Sequence, residues 1–225
     1  MELAAVMSVL KAKGKPKTIL IYRRHGVQEE SYGVSYADLG ALIKKLGTDH
    51  PLALKLWQTG VHDARVLATK IADPARMTRS EVEQWIADAG NYVITDAVSG
   101  IAARTAEAVD LARSWIQSDE EWKSAAGWNV SGLLALDGRL PEKRKRELIG
   151  LIRRRIHAAR NRTRHSMNGF LIGCGANPKF RAEALEVARA IGKVEVDHGE
   201  TGCKTPDATD YIRKMASRAS RAVKN

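Results

Sequence analysis

Aromatic side chains are scarce in this chain, at 5% of 225 residues. A stacking platform for single-stranded nucleic acid needs a series of exposed rings, so that class of binding is disfavoured. Cysteine is rarer still: Cys174 and Cys203 are too few for a disulfide framework and suggest a reducing compartment, so the cytoplasm is the expected setting. No apolar run reaches the roughly 18 to 20 residues that span a bilayer, so no membrane-spanning segment is expected. Leu3 to Leu10 is apolar, but Glu2 stands where a secretory leader carries positive charge and no small-x-small cleavage site follows. Long runs of period-two alternation are missing, which argues against sheets. Gly173-Cys174-Gly175 lacks the rest of a phosphate-cradling loop. Catalytic cysteine or serine chemistry has no pattern to support it.

What the chain has in abundance is positive charge, concentrated in one stretch. Arg139 to Arg164 holds eleven Lys and Arg against Glu142 and Glu147, a net +9 out of +11 for the whole protein. On one continuous helix at 100° per residue, Arg146, Arg153, His157, Arg160 and Arg164 fall within about 60° of one another. Leu148, Ile149, Ile152 and Ile156 form a separate apolar stripe. A helix that buries one side and lines another with guanidinium groups is suited to phosphates, although a charge run is also ordinary solvated surface. The ends add to the imbalance: residues 1 to 24 carry a net +5, and five bases with no acid follow from Arg213 onward. Between Asp63 and Lys123 the sign reverses, with eleven acids against seven bases. Such polarity suggests a directional surface for a polyanion, which could be DNA, RNA or an anionic membrane, and the lack of aromatics favours a duplex.

Helical periodicity runs through most of the chain. Ser35 and Asp38 form a capping start before Leu39, Leu42, Ile43 and Leu46. Thr48-Asp49-His50-Pro51 opens a second helix, with proline in the tolerated first turn, and Gly60 closes it. Thr78-x-x-Glu81 is a capping box before Val82, Trp85 and Ile86. Further helices are predicted near 92–103, 105–117, 119–137, 141–159, 161–174, 179–192 and 206–223, the last opened by Thr205-Pro206. Helices of ten to twenty residues with connectors of two to six predict antiparallel neighbours stacked in order. Pairs of about 35 to 45 residues fit HEAT-type repeats. The expected fold class is all-α, an α-solenoid of HEAT-like antiparallel helix pairs. With no linker visible, a single domain over 1–225 is expected. The segment 192–207 is the least helical. Its Asp197, His198 and Cys203, with Cys174 or His165, could ligate a metal, but the spacing matches no zinc pattern, and a polar loop capping the last helices is the favoured reading.

Several segments together carry a family resemblance. They are Tyr32-Gly-Val-Ser-Tyr-Ala-Asp-Leu39, His50-Pro-Leu-Ala-Leu-Lys-Leu-Trp57, Val61-His-Asp-Ala-Arg65, Ile71-Ala-Asp-Pro74, Asn91-Tyr-Val-Ile-Thr-Asp96 and Glu121-Trp-Lys-Ser-Ala-Ala-Gly-Trp128. Over roughly residues 30 to 190 the chain resembles the bacterial DNA alkylation repair family. Its members are HEAT-like solenoids that wrap duplex DNA, and its active members release N3- or N7-alkylated purines. These bases are cationic, which weakens the glycosidic bond. A carboxylate beside the sugar then stabilises the oxocarbenium-like transition state and orients water, two aromatics flank the lesion nucleotide, and an arginine anchors a phosphate.

The resemblance implies a monomer acting on double-stranded DNA, with no membrane partner and without metal or other cofactor. It implies Asp96 as the catalytic carboxylate, and Tyr92, one helical turn earlier, where active members have tryptophan. The family arginine falls on Ala125 and the second tryptophan on Gly169, with Phe170 as a substitute ring. Asp96 beside Thr95 could instead be a helix cap or make an inter-helix hydrogen bond, and Tyr92 could be ordinary packing. The stripe of Arg146, Arg153, His157, Arg160 and Arg164 is expected to contact phosphates; either Arg153, Arg160 or Arg164 replaces the missing arginine, or excision has been lost and DNA binding kept. The readings that follow are an alkylpurine DNA glycosylase, a non-catalytic DNA-binding or damage-sensing module, and a protein-interaction scaffold.

Overall fold

The computed structural model describes residues 1–222, with side chains through Arg218. Lys224, and the side chain of Arg221, which belong to the basic C-terminal run, lie outside the described residues. The helices are α1 (Leu3–Lys13), α2 (Pro16–Arg24), α3 (Tyr36–Leu46), α4 (His50–Gln58), α5 (His62–Ile71), α6 (Arg79–Ala87), α7 (Tyr92–Ala102), α8 (Ala108–Ile116), α9 (Glu121–Leu136), α10 (Glu142–Arg155), α11 (Asn161–Ala176), α12 (Pro178–Ile191) and α13 (Ala208–Ala222). No strand occurs among the described residues, and none of their helices is long and apolar enough to cross a membrane.

Local chemistry sets most of the boundaries. The Ser35 hydroxyl accepts from the Asp38 amide and starts α3. Asp49 caps α4, with Pro51 in its first turn. Thr78 and Glu81 make the reciprocal capping box of α6, and such caps contribute about 0.5–2 kcal/mol each. The last helix differs from expectation: α13 begins at Ala208, where the Asp207 carboxylate accepts from the Asp210 amide at 3.0 Å. Thr205 is instead hydrogen-bonded to His198, so it does not cap.

Although no linker is visible in the sequence, the chain groups into two compact units. The first comprises Met1–Ala108 with Gly199–Thr201, the second Val109–His198 with Gly202 onward. In the first unit α3 lies beside α5 and α5 beside α7, while α4 packs on α5 and α6 on α7. In the second, α9 lies beside α11 and α11 beside α13, with α10 beside α12 in the other layer. Helices two apart in the chain are thus side by side, as in HEAT-like helix pairs. Trp57 and Trp85, both buried, stack at 4.3 Å between centroids in the first core. Gly127 lets α9 approach the end of α8 closely, since a Cβ there would come within 2.6 Å of the Ile116 amide nitrogen.

The basic helix is interrupted. Residues 141–159 were expected to be one helix, but α10 ends at Arg155 and a single 3₁₀ turn, Ile156–Ala158, follows. Arg160 has extended backbone (ψ 159°) and precedes α11. Two bonds account for the new start: the Glu121 carboxylate accepts from the Arg162 amide at 2.6 Å, and Thr163 donates to the Glu121 carbonyl. Leu148, Ile149, Ile152 and Ile156 are fully buried, as their stripe requires. Burying each contributes about 1.5–3 kcal/mol.

The 192–207 loop is held on α11 by a stripe of side chains at helical spacing. Asn161 exchanges two 2.7 Å hydrogen bonds with the Asp197 backbone. Arg164 donates to the Glu195 carbonyl at 3.2 Å, and Asn168 to the Pro206 carbonyl at 3.0 Å. The His165 ring stands edge-on to His198.

Candidate nucleic-acid interface

In the first unit the candidate residues lie on α7, which is held by buried polar groups. The Asn91 side chain caps the helix by accepting from the Ile94 amide and donates to Glu29 at 2.8 Å. His62 of α5 meets the same Glu29 oxygen at 2.9 Å. Burial alone would raise the Glu29 pKa, but hydrogen bonds from His62 and its own backbone, the His62 charge and the Asn91 bond hold it at about 2. One residue along α5, the fully buried Asp63 accepts from the Ser31 hydroxyl and from the amides of Tyr32 and Val34. These bonds fix the segment that leads into α3.

On that support, Asp96 is exposed in the middle of α7. It is not a cap, since Asn91 fills that position. The negative charge of Asp96 reaches Tyr36: loss of water around the Tyr36 hydroxyl first, then the charges of Asp63 and Asp96, raise its pKa above the usual 10. Tyr92 is half-buried and its hydroxyl is hydrogen-bonded to His25 Nδ1, with the two rings edge-on at 5.9 Å. Its hydroxyl therefore anchors α7 to the end of α2.

In the second unit much of the predicted basic stripe faces α12. Arg146 pairs with Glu183 and lies 5.1 Å from the Phe180 ring centroid; Arg153 pairs with Glu186 at 3.0 Å. His157 donates to the Ile191 carbonyl at 2.8 Å. Arg164 donates to the Ala159 and Glu195 carbonyls. Lys145 is buried and bonded to the Ala135 carbonyl. Of the five predicted phosphate contacts, His157 and Arg164 bond only to carbonyls, and Arg160 has neither an acidic partner nor a side-chain hydrogen bond among the described residues; the same is true of Arg154 and Arg155.

Arg155 escaped the sequence reading because it lies about 180° from Arg146 on a helical wheel. The 3₁₀ turn nevertheless brings it to the same place as Arg160. Both line a cleft of about 630 Å³ with Asp119, Leu151, Trp128 and Met167. The wheel failed here because it carries its phase through Ala159, where the helix does not.

Phe170 corrects another expectation. It is 3% exposed and packs edge-on against Trp128 at 5.6 Å, so the ring belongs to the core rather than to a nucleotide-facing surface. Ala125 is 1% exposed. Gly169 is exposed on α11, and a Cβ there would meet nothing within 4 Å. The groups weighed as metal ligands do not assemble: no cluster of three or more His, Cys, Asp or Glu suited to a metal occurs among the described residues. Burial pushes the Cys174 thiol up to about 12, and burial followed by the charges of Arg162 and His198 lowers His165 to about 4.

The chain matches the DNA alkylation repair enzyme family from residue 6 to residue 214. It belongs to that family. Two uncharacterized relatives cover nearly its whole length. Lmo0209 of Listeria monocytogenes is 34% identical over 216 residues, covering 93% of this chain and 95% of the relative. Lin0241 of Listeria innocua is 32% identical over 218 residues, covering 94% and 96%. A solved structure with TM-score 0.89 and 31% identity covers 97% of this chain and 95% of its own. That protein is described as one of a new family related to the HEAT-like repeat DNA glycosylases, with affinity for branched DNA structures. The all-α, HEAT-like class expected from the sequence is therefore the fold of this DNA alkylation repair family member.

Proposed function

We propose that this protein is a DNA-binding member of the alkylation repair family that recognises branched or interrupted duplexes without excising bases. The observation that carries the reading is Ala125, 1% exposed at the position where active members place the phosphate-anchoring arginine. A methyl group buried there cannot hold a phosphate, and Gly169 offers no ring for the lesion nucleotide. DNA as the ligand is supported by the net +9 between Arg139 and Arg164 and by the 31% identical relative with affinity for branched DNA. The protein acts as a monomer in the bacterial cytoplasm, with Arg154, Arg155 and Arg160 as phosphate contacts and Arg146 and Arg153 available where their exposed ion pairs exchange for phosphates.

The test is fluorescence anisotropy with a four-way junction and a linear duplex of equal length. Tighter binding to the junction is expected, with log affinity falling by about 0.9 per log unit of salt for each phosphate neutralised. Affinity that ignores salt, or no affinity for either DNA, would refute the reading.

A second reading, excision of cationic alkylpurines, is favoured by the exposure of Asp96 one turn along α7 from Tyr92. Release of 7-methylguanine or 3-methyladenine that is abolished by Asp96→Asn would establish it in place of the first.

A further inference from the structure

Resting on the DNA-binding reading, we infer that the second unit carries a pocket for one nucleotide lying outside the base stack, such as the unpaired residue at a strand end or branch. The loop between α8 and α9, the last turn of α10, the 3₁₀ turn and the start of α11 enclose the cleft of about 630 Å³. That volume falls within the roughly 300–1,000 Å³ of small-molecule pockets. Its two chemistries are separate. Leu151, Ala158 and Ala159, which keep surface in the cleft, make an apolar floor, to which Trp128 and Met167, each 2% exposed, add little. Arg155 and Arg160 line it, both exposed and without an acidic partner among the described residues.

A bare phosphate would satisfy the guanidinium groups but leave the apolar floor in water. An apolar ligand would leave two cations unmatched. A nucleotide answers both, because its phosphate accepts from planar guanidinium forks while the base covers apolar surface. Asp119, exposed and lining the same cleft, disfavours a second phosphate and can accept from a base amino group. A base inside a duplex cannot offer its face to such a site, since it is stacked on both sides. Only a nucleotide that has left the stack can enter, and the cost of unstacking is least where the strand is already unpaired.

The experiment compares a blunt duplex with the same duplex carrying a short single-stranded flap, for the wild-type chain and for Ala158→Trp. Ala158 is exposed and lines the cleft, so tryptophan there fills the space and leaves both arginines in place. The wild type should prefer the flapped duplex about tenfold, the scale of one base contact. Ala158→Trp should lose that preference while holding its blunt-duplex affinity within about twofold. Should that variant fail to fold by circular dichroism, the Arg155→Ala/Arg160→Ala double variant replaces it, and it too should lose the preference. A folded, cleft-filled variant that still prefers the flap overturns the pocket, as does a wild type that binds both duplexes equally. Equal binding leaves the DNA-binding reading standing, whereas absence of any DNA affinity removes both.

Discussion

The two units use charge in opposite ways. In the first, Asp63 and Glu29 are enclosed and each holds several donors from distant parts of the chain. In the second, most of the guanidinium groups lie near solvent in single ion pairs or with no acid at hand. Removing an enclosed charge strands its donors, while removing an exposed one disturbs little of the fold. The less basic unit thus ties its fold to enclosed charges, whereas the basic unit keeps its cations available to a ligand.

The strongest way to break this contrast is at Asp63. Asp63→Ala leaves a buried hydroxyl and two backbone amides without an acceptor and should cost about 3–5 kcal/mol in chemical denaturation. A loss below about 1 kcal/mol would show that the buried network is dispensable.

Glu29→Gln comes next, with about 2–3 kcal/mol lost near neutral pH from a group whose side chain is 19% exposed. The folded-state pKa of about 2 lies below the ordinary 4.5. The contribution is therefore complete above pH 4.5 or so and disappears as the pH falls towards 2. Wild type and variant should converge in that interval when melting temperature is followed against pH. Curves that stay parallel would mean that the carboxylate is not what links α5 to α7.

On the basic side, Arg155→Ala/Arg160→Ala removes the contact to one phosphate and should reduce the salt slope of DNA binding by about 0.9. Thermal stability should change by no more than about 0.5 kcal/mol, as expected of surface positions. A large loss of stability with an unchanged slope would reverse the comparison.

The smallest effect is expected at Gly169, in the middle of α11. Gly169→Ala relieves the entropic cost of a helical glycine and should stabilise by about 0.5–1 kcal/mol, since nothing opposes the added methyl. A destabilised variant would show that this surface needs the glycine.

Legibility in the sequence followed the range of the interactions. Ser35 and Thr78 act within three residues of themselves, so their helix starts were readable. The fully buried stripe of Leu148, Ile149, Ile152 and Ile156 was readable from its spacing. The end of α10 was not, because what begins α11 is Glu121, some forty residues earlier in the chain. Its two bonds, together with the 3₁₀ turn, take Arg160 off the wheel and leave it in the same cleft as Arg155. The joining of Glu29, His62 and Asn91 likewise spans separations that periodicity cannot register. Phe170 was misplaced because adjacency to Gly169 in sequence says nothing about direction, and neighbouring positions on a helix differ by 100°. Asp96 was legible as a position, through resemblance, and its exposure came only with the fold.

The loop after α12 is gripped by Asn161, Arg164 and Asn168 through its peptide groups. A clasp that recognises main chain is indifferent to which side chains pass through it at those points. The seat can therefore stay fixed while substitutions at 195, 197 and 206 change what the loop presents to its surroundings, so this edge of the protein can be remodelled without dismantling the helix beneath it.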